Sequence, residues 1–497
     1  MEFAVVRSRA ESGLEAPEVA VEVHLSNGLP AFNVVGMPET AVRESKDRVR
    51  SALINAHFSF PDRRITVNLA PADLPKSSSR FDLPIALGIL AASGQLPSDC
   101  LEGREFFGEL ALDSKLRPVR GLIPAILATG RAGRRAVLPD GSQWGGLTVA
   151  AGSLEQASDL LSLCAALRGR AAFAQRQHSQ KTEGHSRGPD ISDVLDQPVA
   201  CRALEITAAG GHNLLLFGPP GTGKSMLARR LPGLLPSLTP DTALTVAALY
   251  DIGGHCKDDV AAAPFRAPHH NASAVALVGG GAVPRPGEIS LAHGGVLFLD
   301  ELPEFQRHSL DMLREPMETG EITLSRAKRK LTFPARFQLV AAMNPCPCGH
   351  AGDSNRNCRC TPDQLRRYHQ RISGPLLDRI DLQVEVARPS ATALLEGSGR
   401  GDDTATVRSR VSMAVDRQLT RQGVSNARLD GGRLLSHCQL TLQDRQWLER
   451  GIQTLRLSGR ALHRCLRVAR TTADLAGDSA VHRHHLEEAL AYRQLSD

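Results

Sequence analysis

Residues 218–225 read Gly-Pro-Pro-Gly-Thr-Gly-Lys-Ser and lie between an apolar run at 213–217 and a helix-like segment at 226–231. Strand, glycine-rich loop and helix follow one another with the G-x-x-x-x-G-K-[ST] spacing of a phosphate-binding loop. Backbone N–H groups and the positive end of the following helix face phosphate oxygens in such a loop. We therefore predict ATP binding, with Lys224 at the β- and γ-phosphates and Ser225 on Mg²⁺. The predicted nucleotide-binding residues are Gly218, Pro219, Pro220, Gly221, Thr222, Gly223, Lys224 and Ser225.

A second motif, Asp300 and Glu301, directly follows the apolar run at 296–299. Such a run suits a strand that is buried on both faces of a parallel sheet. Residues at the carboxyl end of these strands line the ligand crevice. We predict that Asp300 helps to hold Mg²⁺ and that Glu301 polarises the attacking water. The structural alternative is a buried strand that simply ends in two acidic residues.

Three further segments follow in a fixed order: a strand at 337–343 ending at Asn344, a segment containing Arg379, and a helix start containing Arg460. Together with the two motifs above, they resemble the AAA+ superfamily. The resemblance implies that Asn344 and Arg460 are the two sensors of the γ-phosphate. It also implies that Arg379 is an arginine finger for a neighbouring subunit, worth roughly 10³–10⁵ in rate. Taken singly, Arg379 and Arg460 are equally compatible with ordinary surface or salt-bridge arginines.

The composition of the 497 residues is that of a globular protein with more than one domain, since 42% are hydrophobic and 23% are charged. No apolar run reaches the roughly 18–20 residues of a membrane span, and the first residues lack a signal-peptide pattern. Ten cysteines without a secretory signal indicate a reducing compartment. We therefore expect a cytoplasmic protein without a membrane partner. The net charge of +6 permits a polyanionic partner without requiring one.

Changes in composition divide the chain. Residues 169–190 are polar and basic, and residues 396–403 are rich in glycine. We predict an N-terminal α+β domain at 1–168, a linker at 169–190, an α/β ATPase core with a parallel sheet at 191–395, and a C-terminal helical lid at 396–497. The lid prediction rests on apolar residues at helical spacing, such as Leu462, Leu466 and Ala469.

The order of predicted elements in residues 1–168 resembles the proteolytic domain of Lon protease, with a strand at 108–113 and a helix from 121 to 129. Residues 74–80 lie where Lon-type enzymes carry the serine nucleophile, and residues 118–123 lie where they carry the lysine base. Ile123 occupies the lysine position, and a Ser–Lys pair requires that amine. We therefore predict a scaffold without protease activity, which guides a substrate or assembles a ring.

The segment 321–334 contains two β-type stretches around a basic turn, just before the strand that ends at Asn344. We predict a hairpin whose tip contacts DNA phosphates without regard to sequence. The alternative is a solvated basic turn. An insert at 264–273 includes His269 and His270, which we interpret as a structured loop rather than a metal site. The predicted DNA-contacting residues are Arg326, Lys328, Arg329 and Lys330.

Two C-x-C pairs follow Asn344, and ten residues separate them. Four thiolates in a reducing cell suit structural Zn²⁺, although C-x-C is shorter than the usual C-x₂-C spacing. The alternative is four reduced cysteines on a loop. The predicted zinc ligands are Cys346, Cys348, Cys358 and Cys360.

The insert and the hairpin resemble the magnesium-chelatase branch of AAA+ proteins, and the whole chain resembles the YifB/ComM family. The matching motifs are Gly-Met-Pro-Glu-Thr-Ala-Val-Arg-Glu-Ser at 36–45, Pro-Ala-Asp-Leu-Pro-Lys at 71–76 and Asn-Pro-Cys-Pro-Cys-Gly at 344–349. The resemblance implies a hexameric ATP-driven motor on branched or single-stranded DNA. In ComM-type members this motor is a helicase for branch migration during natural transformation. A chelatase-type motor acting on a protein partner is the alternative.

Overall fold

The structure, a computed structural model, describes residues 2–36, 42, 44–74, 76, 78–142, 154–174, 188–257, 259–281, 284–326, 329–352, 356–397, 401–454 and 458–493. Several predictions fall on positions outside these residues. They are Lys328, most of the motif at 36–45, two positions of the segment 74–80 and the middle of the predicted linker. The domain boundaries proposed above stay predictions.

The N-terminal region is an α+β fold around one helix whose residues are all buried, α2. A helix that is apolar on every side is stable only inside a core, and α2 packs against β1, β2 and α1. The sheet has the strand order β1–β2–β4–β3, and β2 alternates buried and partly exposed residues. The Lon-like topology stays a prediction. The elements are β1 (Phe3–Arg9), β2 (Glu18–Ser26), β3 (Ala31–Val35), α1 (Ser45–Asn55), β4 (Arg64–Ala70), α2 (Asp82–Ala92), β5 (Arg104–Phe106), β6 (Glu109–Leu110), β7 (Leu116–Arg117), α3 (Leu122–Arg131), β8 (Arg135–Pro139), β9 (Leu154–Ala157) and α4 (Leu160–Leu167).

The strand predicted at 108–113 is shorter in the structure, where β6 has only two residues. The chain turns immediately afterwards, because the Ala111 N–H donates to the Lys115 carbonyl and the Ser114 N–H to the Ala111 carbonyl. Ser114 adopts a φ of 67° in this turn. The apolar pattern of the segment therefore continues past the point at which strand pairing ends.

The predicted parallel sheet is confirmed in the next region, where five strands have the order β11–β14–β17–β10–β18 and all neighbours run parallel. Parallel strands end at the same edge of a sheet, so the segments after β10, β14 and β17 lie side by side. The elements are α5 (Pro198–Gly210), β10 (Leu214–Phe217), α6 (Lys224–Ala228), α7 (Leu231–Leu234), α8 (Pro240–Gly253), β11 (Phe265–Arg266), α9 (Ala274–Val278), β12 (Gly279–Gly280), β13 (Arg285–Pro286), α10 (Glu288–Leu291), β14 (Val296–Leu299), α11 (Arg307–Asp311), α12 (Arg314–Thr319), β15 (Glu321–Arg326), β16 (Arg329–Pro334), β17 (Gln338–Met343), α13 (Pro362–His369), α14 (Gly374–Leu377), β18 (Leu382–Glu385) and α15 (Ala391–Glu396).

The C-terminal region is helical, as predicted. Its helices α16 and α19 pack against α5, so the lid residues Val411 and Leu466 share one buried cluster with Leu214 of the sheet. Across the described residues, no helix combines the length and the apolar character that crossing a membrane requires. The elements are α16 (Thr404–Gln422), α17 (Gly431–Cys438), α18 (Leu442–Thr454), α19 (Gly459–Ala476) and α20 (Arg483–Ala491).

Candidate nucleotide site and cysteine cluster

The phosphate loop, residues 218–225, connects β10 to α6, and Lys224 is the first residue of that helix. Lys224 Nζ donates to the carbonyl oxygens of Gly218 and Pro219 at 2.7 and 2.8 Å. Burial lowers the pKa of Lys224, and attraction to the Asp300 carboxylate opposes this fall. A Cβ atom on Gly218 would lie 2.3 Å from the Val386 carbonyl oxygen, so only glycine lets the loop start this close to the chain after β18.

The predicted Mg²⁺ ligands lie together at the carboxyl edge of the sheet. Ser225 Oγ donates to Asp300 Oδ2 at 2.6 Å, which joins the start of α6 to the end of β14. Mg²⁺ binds hard oxygen ligands, and one or two protein groups beside phosphates and water are its usual complement. The hydroxyl and carboxylate therefore fit Mg²⁺ in its expected position.

Glu301 has a partner that the sequence analysis did not assign. Its carboxylate Oε2 lies 3.1 Å from His270 Nδ1, and the side chain is 52% exposed. Its backbone has a φ of 53°, an uncommon conformation for a residue that is not glycine. His270 follows β11, which pairs in parallel with β14, so its position after a strand of the same sheet is the signal that could have identified this contact.

The polar residue at the end of β17 also reaches the phosphate loop. Asn344 Oδ1 accepts a hydrogen bond from Lys224 Nζ at 3.2 Å. The structure thus brings Lys224, Ser225, Asp300 and Asn344 into one connected set, with Glu301 next to Asp300 in the chain. These residues come from three neighbouring strand ends, at the edge where parallel sheets bind their ligands.

Arg379 and Arg460 have no contact with the phosphate loop in the part of the chain that the structure describes. Arg379 pairs with Glu318 and donates to the Pro375 carbonyl at 2.6 Å. Its own carbonyl accepts from Asn213 Nδ2 at 2.9 Å, just before β10 begins. Arg379 is therefore held at the amino edge of the sheet, opposite the phosphate loop of its own chain. Arg460 is exposed in the first turn of α19.

The segment predicted to contact DNA is an antiparallel hairpin of β15 and β16, here called the basic hairpin. In the backbone register of the two strands, Arg326 lies opposite Arg329 at the described end, and Ser325 lies opposite the exposed Lys330. Lys328 lies outside the described residues. At the other end, Phe333 is buried, so the hairpin is fixed at its base.

The four predicted zinc ligands form a compact cluster in which all sulfur atoms lie within 4.8 Å of one another. The Sγ atom of Cys346 lies 3.3 Å from that of Cys348 and 3.7 Å from that of Cys358, and the Sγ atoms of Cys348 and Cys358 are 3.6 Å apart. Zn–S bonds of about 2.3 Å place the sulfurs of a tetrahedron about 3.8 Å apart. Backbone N–H groups of Arg359 and His350 lower the pKa of Cys348 to about 6, whereas burial and the neighbouring sulfurs raise the pKa values of Cys358 and Cys360. A bound cation would favour all four thiolates. The cluster fits Zn²⁺.

The cysteine loop, residues 346–360, packs against the phosphate loop. Gly349 has a φ of 80°, and a Cβ atom there would lie 2.8 Å from Cδ of Pro220. The loop therefore supports the phosphate loop from outside, next to the strand end that carries Asn344. A change in the conformation of the cysteine loop would consequently shift the phosphate loop at Pro220.

A second group of metal-ligand type, Asp478, His484 and His485, lies in the lid. His485 Nδ1 accepts a hydrogen bond from the His482 backbone N–H at 3.1 Å, so the ring proton lies on Nε2. This Nε2 faces Asp478 Oδ2 at 3.4 Å. To bind a metal ion beside Asp478, His485 would need a free lone pair on Nε2 and its ring proton on Nδ1. The group does not fit a metal ion.

Comparison with known proteins identifies three matching regions. The family "Magnesium chelatase, subunit ChlI" matches residues 190–394. "Subunit ChlI of Mg-chelatase" matches residues 21–142, and "Magnesium chelatase, subunit ChlI C-terminal" matches residues 401–493. The matches thus extend over the N-terminal region, the parallel-sheet core and the helical lid.

Full-length relatives are much closer. The chain is 50% identical over 498 residues to "Uncharacterized protein YifB" of Salmonella typhimurium, which covers all of this chain and 98% of the relative. It is 49% identical over 503 residues to "Competence protein ComM" of Haemophilus influenzae, with the same coverage of the two chains. The "Magnesium-chelatase 38 kDa subunit" of Acidiphilium rubrum is 28% identical over 325 residues, covering 59% of this chain and 86% of the relative. With its magnesium-chelatase-type AAA+ core, the chain belongs to the YifB/ComM family.

Proposed function

We propose that this protein is an ATP-hydrolysing motor that moves along DNA as a ring, most simply a hexamer, and acts on branched recombination intermediates. The main support is the convergence of Lys224, Ser225, Asp300 and Asn344 at the carboxyl ends of β10, β14 and β17. A cation, a hydroxyl, a carboxylate and an amide at this place form the set that binds and cleaves a triphosphate.

Each group then has a defined role. Lys224 neutralises the β- and γ-phosphates. Ser225 and Asp300 would hold Mg²⁺, which would supply positive charge to the phosphate oxygens. Glu301 accepts a proton from the attacking water, and it is half-exposed and free to turn toward that water once it leaves His270. Asn344 already bonds to Lys224 and so can report the presence of a γ-phosphate to β17.

The position of Arg379 supports a ring. Its backbone is held at the amino edge of the sheet by Asn213, so it cannot reach the phosphate loop of its own chain. As an arginine finger it would leave Glu318 and enter the site of a neighbouring copy. Arg460, at the exposed start of α19, would contact nucleotide when the lid closes over the core.

The assignment of DNA as the substrate rests on the basic hairpin and on the name of one relative. Arg326, Lys328, Arg329 and Lys330 carry four positive charges within five residues, without an acid among them. Phosphate backbones attract such a tip irrespective of sequence. A 49% identical relative is named a competence protein, and the resemblance to ComM-type members points to branched recombination intermediates as the substrate.

The cysteine cluster is proposed to hold one structural Zn²⁺. Four sulfurs within 4.8 Å of one another suit a closed site without a coordination position for a substrate, so the ion would stabilise the loop rather than take part in catalysis. Through Gly349 and Pro220, it would hold the phosphate loop in place.

The test is ATP hydrolysis with and without DNA, followed by branch migration of a synthetic four-way junction. We expect DNA to stimulate hydrolysis and ATP to drive migration. Glu301→Gln should bind ATP but not hydrolyse it, which separates binding from chemistry. Hydrolysis that no DNA structure changes would contradict the proposal.

A motor that remodels a protein partner is the second candidate, favoured by the 28% identical magnesium-chelatase subunit. The two candidates differ in what stimulates hydrolysis. Stimulation by a partner protein, together with indifference to DNA, would select the chelatase-type function.

A further inference from the structure

The protein's own side chains bridge the two segments that resemble the serine and lysine segments of Lon-type proteases. Arg80, from the segment that resembles the serine loop, donates to the Arg120 carbonyl in the segment that resembles the lysine position. It also donates to Ser78 Oγ at 3.1 Å and lies 3.7 Å from Glu11. The Arg80 side chain is 0% exposed. Its guanidinium therefore fills the space between the two segments.

A carboxylate from the parallel-sheet core binds the second of these segments. Asp251, near the end of α8, accepts hydrogen bonds from the backbone N–H groups of Gly121 at 3.0 Å and Ile123 at 2.7 Å. These groups belong to the free N–H donors at the start of α3. The negative end of the α8 dipole repels the Asp251 carboxylate, whereas the positive end of the α3 dipole attracts it. The contact with α3 therefore offsets the unfavourable position of Asp251 on its own helix.

Apolar packing surrounds this polar contact. Ala247 and Ala248 of α8 belong to the same buried cluster as Ile123 and Ile126 of α3. Small side chains on α8 let the two helices approach closely. The Arg120 guanidinium lies beside Gly254, which ends α8, and so adds positive charge at the carboxyl end of that helix.

The opposite face of α8 supports the basic hairpin. Val246 and Leu249 of α8 share a buried cluster with Phe333 of β16. The N-terminal region also reaches the hairpin directly, since a Cβ atom on Gly13 would lie 3.6 Å from Leu331 and 3.8 Å from Phe333. The N-terminal region, α8 and the hairpin base therefore form one continuous packed unit.

We infer that Arg80 and the start of α3 form a docking site for α8, and that the N-terminal region thereby positions the basic hairpin for DNA. The second half of this inference rests on the proposed function, whereas the docking contact does not. The inference assigns the N-terminal region a mechanical role in the motor. A nucleotide-driven shift of the hairpin base would move the N-terminal region with it, and loss of docking would loosen the hairpin.

The test compares Asp251→Ala with Asp241→Ala in the full-length protein. Asp241 lies on the same helix but is exposed, so it is a matched control. In Asp251→Ala we expect amide exchange at Gly121–Ile123 to accelerate at least about tenfold, because two charge-assisted hydrogen bonds are lost. Hydrolysis without DNA should remain, while stimulation by DNA should be largely lost. The control should match the wild type in each measurement.

Unchanged exchange in Asp251→Ala would overturn the docking contact. Faster exchange with normal stimulation by DNA would overturn the positioning of the hairpin. Should Asp251→Ala unfold, Asp251→Asn keeps the shape and one acceptor, and the same two outcomes then apply to it. A wild type that DNA does not stimulate would contradict the proposed function and with it the positioning role, but amide exchange would still decide whether α8 docks as inferred.

Discussion

The first turns of α6 in the ATPase core and of α3 in the N-terminal region are surrounded by similar chemical groups, but the groups have different roles. Each follows a glycine with positive φ, 93° at Gly223 and 66° at Gly121. Each has a cation and a carboxylate beside it. At α3, the carboxylate of Asp251 occupies the backbone N–H groups and Arg80 fills the remaining space. The start of α3 is thereby used for a contact between domains.

At α6 the charged groups face one another across a crevice. Asp300 bonds to Ser225, Lys224 bonds to Asn344, and Glu301 remains half-exposed. The contrast teaches that a loop before a helix, a cation and an acid do not by themselves define a ligand site. What decides is whether another part of the same chain already satisfies them. The following experiments test that contrast.

Lys224→Ala should have the largest effect, because Lys224 is the cation of the α6 site. We expect hydrolysis to fall by at least about 10²–10³-fold, as when one charge-stabilising donor is removed from a transition state. Thermal unfolding should change little. Lys115→Ala is the control, since Lys115 is 72% exposed and lies in the N-terminal region. Hydrolysis within a few-fold of wild type in Lys224→Ala would place the active site elsewhere.

Cys358→Ser should disrupt the cysteine loop that packs against the phosphate loop, without changing a proposed catalytic residue. We expect the bound zinc, one ion per chain by metal analysis, to be lost and the KM for ATP to rise. The reason is that the cysteine loop contacts Pro220 through Gly349. Cys256→Ser, at an exposed cysteine outside the cluster, should keep its zinc. A metal-free wild-type protein would remove the zinc proposal.

Lowering the pH should destabilise the parallel-sheet core more than the N-terminal region. Burial lowers the pKa of His293, just before β14, to about 4. The folded core therefore binds fewer protons than the unfolded chain between pH 6.5 and 4, and stability falls as the pH drops through that window. The contribution is up to about 3 kcal/mol. The described residues of the N-terminal region include no buried histidine, so burial of a histidine adds no such term there.

The acid effect is measured by amide exchange followed region by region between pH 7 and 4. His293→Gln keeps an acceptor for the Arg336 N–H, which His293 Nδ1 binds at 3.0 Å, but cannot take up a proton. In this variant, the stability of the core should fall less steeply as the pH drops. An N-terminal region that opens first, or a variant with the same pH dependence as wild type, would contradict the assignment.

His270→Ala should have the smallest effect. His270 competes for the Glu301 carboxylate, so its removal should raise hydrolysis without DNA. A partly exposed polar contact of this kind contributes at most about 1 kcal/mol, which limits the change to about fivefold. His269→Ala is the control, because that ring lies 4.1 Å from the His270 ring but has no described contact with Glu301. A fall in kcat in His270→Ala would instead mean that His270 holds Glu301 in its productive orientation.

The sequence by itself determined the parallel core, the helical lid and the family. It also predicted Lys224, Ser225, Asp300, Glu301 and Asn344 as one site, and the four cysteines as one cluster. The structure brings Lys224, Ser225, Asp300 and Asn344 into contact, and gathers the four cysteines, because each motif is local. A fixed spacing on a strand end or a loop puts its side chains at a known edge of the sheet. Their chemical roles stay predictions.

Only the tertiary structure decided the contacts between distant segments. Asp251 meets Gly121 and Ile123 across 130 and 128 residues of chain, and His270 meets Glu301 from an insert. No spacing rule predicts such contacts, because they depend on how whole helices and loops pack. The physical reason is that a buried polar group needs a partner, and the partner is whichever group the packing brings within hydrogen-bonding distance.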